Sequence, residues 1–461
     1  MEGTKQNKMG TAPMFRLILG MSLPAMFSML IQALYNIVDS MFVSNYSNSI
    51  LTGNDSLLSV NIAYPLQMIL ISVAVGSGVG VNSLIARRLG ARHQEQADSA
   101  ATHGFFLTFI DWFIFVLIGI FLAKPFISLY TNDQAIMDAS VAYIRIVLIG
   151  SLGSNITCML EKVLQSTGNM IMPMLSQLTG AVINIILDPI FIYTFDLGVA
   201  GAAIATIIAQ HISAVLCLFF LFGKKQLVKI HVKGFRFKAE TVKNIYVVAL
   251  PAMVMQAIGS FMVMGINFII SLAHDTVAAK NAATNVFGVY FKLQSFVFMP
   301  VFGLNQGSTP IIGFNYGARD KKRMYSAIKW AILFAVIIMT AGFIVFQIVP
   351  DVLLGLFNPT EEMLDIGKVA LRIISLCFIP AALGIVFSGV FQAVGKGVRS
   401  LIMSLLRQLC LIVPIAYFLS SISLKDMWYA FPLAEIGSLI VGIIFFITLV
   451  KGDFKRLDHK E

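Results

Sequence analysis

Two acidic residues, Asp39 and Asp188, stand inside stretches that are otherwise apolar. Asp39 shares its stretch with Gln32, Tyr35 and Asn36, spaced three and four apart so that a helix carries them on one face. Asp188 follows Asn184 by one turn and precedes Pro189, whose missing N–H frees the carbonyl of Ile185. A charge at mid-bilayer costs roughly 2.5–3.5 kcal/mol on insertion scales, so two ionised, unpaired carboxylates would cost on the order of 5–7 kcal/mol. Two carboxylates, an amide and a spare carbonyl form a hard-oxygen set suited to Na+, with Asp39, Asn184 and Asp188 as ligands. Two close carboxyls also resist ionising together, so the same set suits a proton. Either cation removes much of the cost and links occupancy to conformation. The other reading is a purely structural polar network, or Asp39 at the bilayer interface.

The surrounding chain says what must position these groups. Of its 461 residues 58% are hydrophobic and 12% charged, and mean hydropathy is +0.85. An ordinary soluble domain is about 45–50% apolar and about 25% charged, so this is an integral membrane protein. Apolar runs of roughly 20 residues or more fall near 15–45, 57–82, 102–123, 140–160, 172–194 and 199–222. Six more lie near 243–273, 283–313, 327–349, 365–393, 399–421 and 427–450, predicting twelve helical spans.

The halves are copies. Leu23-Pro24-Ala25-Met26 recurs as Leu250-Pro251-Ala252-Met253, Gly90-Ala91-Arg92 as Gly317-Ala318-Arg319, and Gln165 and Gly168 as Gln392 and Gly395. Each pair lies 227 positions apart, the difference between 251 and 24. An even number of spans per copy starts both copies in the same direction, so the expected fold is all-α, two six-helix lobes related by a pseudo-two-fold axis along the membrane normal. The expected domains are residues 1–223, a linker over 224–243, and 244–461. Pro24 and Pro251 occupy matching places in the first helix of each lobe; they are passive kinks or hinges. The Gly-Ala-Arg triplets end the second helix of each lobe, with glycine expected to take the left-handed turn and arginine to anchor at headgroups.

Net charge is +10, but its placement excludes a nucleic-acid role. Lys5, Lys8, Arg16, Arg87, Arg88 and Arg92 fall on one side of a twelve-span arrangement, with the linker bases Lys224, Lys225, Lys229, Lys233, Arg236, Lys238 and Lys243. Arg319, Lys321, Lys322, Arg323 and the terminal Lys451, Lys455, Arg456 and Lys460 join them. The opposite connections carry Asp55, Asp133, Asp138, Asp196, Asp275, Asp351, Glu361 and Glu362. The positive-inside rule then puts both termini in the cytoplasm of a cell expected to hold the protein in its cytoplasmic membrane, with no cleavable signal peptide. Cys158, Cys217, Cys377 and Cys410 are scattered singly and read as packing residues. No HExxH, GxSxG or GxxxxGK[ST] pattern supports an enzyme or an ATP-driven pump. No cofactor is expected beyond the coupling ion.

Further polar groups fall within predicted spans: Gln256, Asn267, Asn285, Lys292, Gln294, Arg407 and Glu435. All but Arg407 are candidates to line a substrate cavity with Gln32 and Tyr35, and a Lys292–Glu435 pair would neutralise the second lobe. Arg145 and Arg372 match across the repeat and read as snorkelling bases.

These residues together resemble the multidrug and toxic compound extrusion (MATE) family: Leu23-Pro24, Tyr35-Asn36-Ile37-Val38-Asp39, Gln306-Gly307 followed by Pro310, and Asn315-Tyr316-Gly317-Ala318-Arg319. Asn184-x-x-x-Asp188-Pro189 is similar to the span 5 pattern of its prokaryotic DinF-like branch, and the wider chain looks MepA-like. The resemblance implies a twelve-helix, two-lobed antiporter, here expected to be a monomer, that exports drugs or organic cations in exchange for Na+ or H+ by alternating access. It places Asp39, Asn184 and Asp188 in the cation site, adds Thr206 from span 6, and points to Tyr143 in span 4; Asn36, on the face of Asp39, is a further candidate ligand from its spacing. Some relatives use an acid early in span 7, where this chain has Gln256. A flippase for lipid-linked precursors, on a related two-lobed scaffold, is the alternative.

Overall fold

The structure is a computed structural model that describes residues 7–47, 52–223, 226–273, 275–357 and 359–458; the side chains of Asn36, Arg456 and Asp458 fall outside the description. The expected bases Lys5, Lys224, Lys225 and Lys460 also lie outside the described residues.

Long apolar helices dominate because, without water, backbone groups must bond within their own segment. Among the described residues ten helices are long and apolar enough to cross a membrane, and counting each of two bent helix pairs as one span brings the number to twelve. Spans 1 to 3 are Met14–Ser44, Gly53–Gly90 and Gln94–Phe121. Span 4 joins Gln134–Ile149 to Leu152–Ser166 through a 46° bend. Span 5 is Ile171–Thr194 and span 6 Gly198–Leu221. Spans 7 to 9 are Ala239–Leu272, Val277–Gly317 and Lys321–Ile348. Span 10 joins Glu361–Ser375 to Phe378–Ala393 through a 47° bend. Spans 11 and 12 are Gly397–Ser420 and Asp426–Phe454.

The duplication extends into details that hydropathy cannot show. Span 4 starts on Asp133, which accepts from the N–H of Ala135 at 2.9 Å, and span 10 starts on its repeat mate Thr360, which accepts from Met363 at 3.2 Å. Short helices Ala123–Ile127 and Pro350–Gly355 also correspond. At the Gly-Ala-Arg triplets the expected glycine turn is corrected. Gly90 and Gly317 are the last helical residues, and Arg92 and Arg319 take the left-handed conformation at φ 61° and 56°. His93 N–H reaches Arg88 O and Arg92 N–H reaches Leu89 O, a Schellman closure that needs its left-handed residue two places after the glycine. Asp320 and Arg319 repeat it on Asn315 and Tyr316.

The chain divides into two compact units, Phe27–Met253 and Met1–Met26 with Val254–Glu461. Both divisions fall inside helices, at repeat-equivalent positions just after Pro24 and Pro251, and each helix runs on through its proline. Close packing on glycine pairs explains which unit takes each half-helix. In the first unit a Cβ on Gly80 would sit 2.5 Å from the carbonyl oxygen of Ile245, and one on Gly76 would sit 2.7 Å from the backbone nitrogen of Met253. In the second, Gly303 and Gly307 lie equally close to the backbone of Met26 and Ser22. Gly76-x-x-x-Gly80 and Gly303-x-x-x-Gly307 therefore let the first half of one repeat's leading helix lie on the other repeat's second helix.

The linker is not a free tether. Over its described residues it is strapped to the start of span 3: Lys229 N–H donates to Asp98 Oδ1 at 2.9 Å, His231 N–H to Thr102 Oγ1 at 3.1 Å, and Lys238 N–H to His103 Nε2 at 2.8 Å. Phe235 stacks on Phe106 with ring centres 4.1 Å apart.

Candidate functional site

The acids meet in the unit Phe27–Met253, and local chain geometry explains how. Span 5 ends at Pro189, continues as one π turn over Ile190–Thr194, and reverses through Asp196 and Gly198 at φ 53° and 52°. Only glycine fits at Gly198, where a Cβ would strike the Tyr46 ring. Two tyrosines then fasten the end of span 1 to this turn. Tyr46 Oη donates to Asp196 Oδ1 at 2.9 Å, and Tyr193 Oη donates to Phe42 O at 2.6 Å. The face of span 1 carrying Tyr35 and Asp39 is thereby held against spans 5 and 6.

Within that frame Asp39 and Asp188 lie within hydrogen-bonding reach of each other. Asn184 Nδ2 donates to Asp188 Oδ1 at 3.1 Å and to Thr206 Oγ1 at 3.3 Å. Asn184, Asp188 and Thr206 are buried, and Asp39 keeps its Oδ1 buried. Tyr35 lies beside Asp39, Asp188 and Thr206. Tyr143 is buried near both acids and donates to Gln67 Oε1 at 3.3 Å. The structure thus brings together Asp39, Asn184, Asp188, Thr206, Tyr35 and Tyr143.

Three oxygens here, Asp39 Oδ1, Asn184 Oδ1 and Asp188 Oδ2, are buried without a hydrogen-bond partner among the described residues. No base forms an ion pair with either acid among the described residues. Buried acceptors are almost always satisfied, so the place suits a donor or a positive group. The donor set is all oxygen, which fits Na+ or a proton and not a soft metal.

Other expected positions fare differently. Gln32, Gln256, Asn285 and Lys292 are exposed, while Gln294 and Asn267 are partly buried, Asn267 with an unpartnered Oδ1. The Lys292–Glu435 pair is corrected. Lys292 lies over the ring of Phe357 at 5.7 Å, and Glu435 pairs with Arg407 at 3.3 Å. Arg407 lies in a π turn over Leu406–Leu411, and its side chain reaches Glu435 of span 12. The four cysteines form no disulfide, and Cys217 donates to Ser176 as a packed thiol.

Sequence reasoning missed several polar groups within the spans. Gln67, the partner of Tyr143, has no spacing signal in its apolar run. Asp111, bound by Ser77 Oγ at 3.0 Å, sits mid-span, where the insertion cost alone flags it. Glu161 and Lys162 are buried side by side yet take separate partners: Gln177 Nε2 donates to Glu161 at 2.9 Å, and Lys162 Nζ donates to Gln165 at 3.0 Å.

Comparison with known proteins bears on this arrangement. The MatE family profile matches residues 24–190 and 251–418, one match in each repeat. The chain therefore belongs to the MatE family. It is 24% identical over 411 residues to the multidrug export protein MepA of Staphylococcus aureus (strain MSSA476), covering 89% of this chain and 88% of that one. Its fold is similar to a multidrug resistance MATE family transporter of the MOP superfamily solved in an outward-facing conformation, with TM-score 0.89, 27% identity, and 99% and 100% of the two chains covered. A MOP superfamily transporter from Pyrococcus furiosus, described as having a binding pocket of reverse polarity that suggests a different function, matches at TM-score 0.89 and 27% identity over 100% of both chains. The chain is thus a multi-pass membrane protein of a transporter family.

Proposed function

We propose that this protein is a secondary multidrug antiporter of the cytoplasmic membrane, with both termini in the cytoplasm, exporting organic, often cationic, compounds in exchange for Na+ or H+. The observation that carries the coupling is the trio of orphan oxygens on Asp39, Asn184 and Asp188. The relative's printed role in multidrug export supports the cargo.

The mechanism follows from what the residues do when a cation arrives. Asp39 and Asp188 come from different spans, so an ion shared between their oxygens holds span 1 to span 5. Asn184 orients Asp188 through one amide hydrogen and Thr206 through the other, which keeps its own carbonyl free as a ligand. Without the cation the two carboxylates repel, and span 1 is released beyond the point where Pro24 has removed a backbone hydrogen bond. The cation thus favours one conformation over the other, which is the condition for coupled, alternating access.

The test is efflux of a cationic dye from proteoliposomes under independently imposed Na+ and pH gradients. One gradient should drive efflux in the wild type, and Asp39→Asn and Asp188→Asn should each abolish it while the protein still inserts. Undiminished efflux in both variants rejects the site.

A further inference from the structure

The described part of the linker, residues 226–240, carries Lys229, Lys233, Arg236 and Lys238 against one acid, Glu240. Span 3 grips its main chain and leaves those charges outside. Gln94 Nε2 donates to the carbonyl of Leu227 at 2.6 Å, and the N–H groups of Lys229, His231 and Lys238 end on Asp98, Thr102 and His103. The four basic side chains are exposed, and none forms an ion pair among the described residues. Asp98, the acid of span 3 that touches the linker, already accepts from the Lys229 N–H and from Gln94. Bases that only set topology need no fixed course, since the positive-inside rule counts charges and not their geometry.

These contacts also register the linker against span 3. Leu227 stands level with Gln94, Lys229 with Asp98, and the Phe235 ring lies 4.9 Å from His103 and 4.1 Å from Phe106. Gln94 and Phe106 are about 18 Å apart along a helix axis. Between Asp98 and Asp111 span 3 holds no acid, lysine or arginine, so Phe106 belongs to its apolar stretch. The linker therefore descends from the polar end of span 3 to the level where lipid begins, and it turns there at Gly234, with φ 74°. Val232 and Phe237, on either side of that turn, are each 53% exposed. Aromatic and aliphatic bodies with lysine and arginine beside them suit a bilayer surface, where the bodies sink toward the acyl chains and the charged heads reach phosphates.

We propose that residues 232–238 form a lipid-binding strap. Lys233, Arg236 and Lys238 hold the headgroup of an anionic phospholipid in the leaflet that borders the start of span 3, while Val232 and Phe237 rest against its upper acyl carbons. Charge complementarity selects the anionic headgroup, because residues 229–238 contain no acid and a net negative lipid gains more from these bases than a zwitterionic one. The grip of span 3 on the main chain sets the bases in place beforehand, which lowers the cost of ordering them around a ligand. The inference goes beyond the efflux reading and does not depend on it.

The experiment places a fluorophore on the strap through Phe237→Trp, in full-length protein reconstituted into nanodiscs of phosphatidylcholine with phosphatidylglycerol as the minor component. Bromine is carried near the headgroup end of the acyl chains of one lipid or the other. Emission in excess of the wild type, which has Trp112, Trp330 and Trp428, reports on the strap. Brominated phosphatidylcholine should quench that emission. Brominated phosphatidylglycerol should quench about fivefold or more beyond its share of the lipid, the scale of one base at an anionic surface. Lys233→Gln, Arg236→Gln and Lys238→Gln together should remove this enrichment and leave quenching by phosphatidylcholine in place. If that variant does not fold, raising the salt concentration on the Phe237→Trp protein gives a second reading, since screening should lower the enrichment. Absence of quenching by either lipid means that the strap stands in water and faces a soluble partner. That result, equal quenching by the two lipids, or an enrichment that survives the substitutions or high salt overturns the proposal.

Discussion

Asp39 and Asp188 in the first unit and Glu435 in the second face the same difficulty, a carboxyl group inside a bundle of apolar helices. The first unit supplies no base to its acids among the described residues and leaves three oxygens without partners. The second supplies Arg407, whose guanidinium engages both oxygens of Glu435. The repeat makes the contrast sharper. Displaced by 227, Asp39 falls on Ile266, so the second unit has no acid at that place in its first helix. Arg407 falls on Gly180, where a side chain would run into Ser213 of span 6. Two copies of one scaffold thus differ, one with acids that no base pairs among the described residues and one with a cation built in. An unpaired site changes its charge when an ion comes or goes, whereas a paired one holds its charge constant.

The largest expected effect breaks this contrast through stability. Removing Arg407 alone strands a buried carboxylate, and breaking a buried pair costs about 3–5 kcal/mol, with the lower end expected here because Arg407 is partly exposed. Arg407→Gln should therefore lower Tm strongly, and adding Glu435→Gln should restore most of the loss. Asp39→Asn and Asp188→Asn should do the opposite, leaving Tm unchanged or raised, because they remove charge that had no partner. Thermal unfolding in detergent followed by size-exclusion chromatography measures all four. A large loss of Tm in the Asp188→Asn variant would mean that the first site is paired and structural after all.

The same contrast shows what the sequence made legible. Asp39, Asn184 and Asp188 announced themselves because helical spacing and insertion cost act on short, local patterns. Thr206 and Tyr143 came only through the family resemblance, since one hydroxyl in an apolar helix carries no signal of its own. Gln67 stayed hidden for that reason. Arg407 was visible, but its partner was not, because no pattern in Leu406–Leu411 marks the π turn that carries it. Asp111 could have been flagged by the argument that picked out Asp39, as both are acids inside apolar runs. The assignment of each half-helix to its unit depended on reading Gly76-x-x-x-Gly80 and Gly303-x-x-x-Gly307 as surfaces for close packing. Chain order alone suggests a division at the linker.

A smaller effect asks how alike the two scaffolds remain where they are not functional. Gly80 and Gly307 are repeat mates in equally tight contact, each with a backbone or Cβ atom within 2.8 Å of where its own Cβ would stand. Gly80→Ala and Gly307→Ala should each cost about 1–3 kcal/mol, the usual penalty for overpacking. Their effects should match in size, which parallel Tm measurements would show. A much larger loss at one of them would mean that the divergence reaches from the polar sites into the helix packing.

The smallest effect concerns the left-handed arginines. Arg92 sits at φ 61°, a conformation that costs a non-glycine residue roughly 1–2 kcal/mol, and its position is fixed by the Schellman bonds from His93 and Arg92 itself. Arg92→Gly relieves that cost at the expense of a looser unfolded chain, so a gain of about 0.5–1 kcal/mol in stability is expected. If Tm falls instead, the arginine side chain contributes more to the fold than its backbone takes away. The strain would then be retained for what the guanidinium holds at the helix end, as an anchor at the headgroups requires.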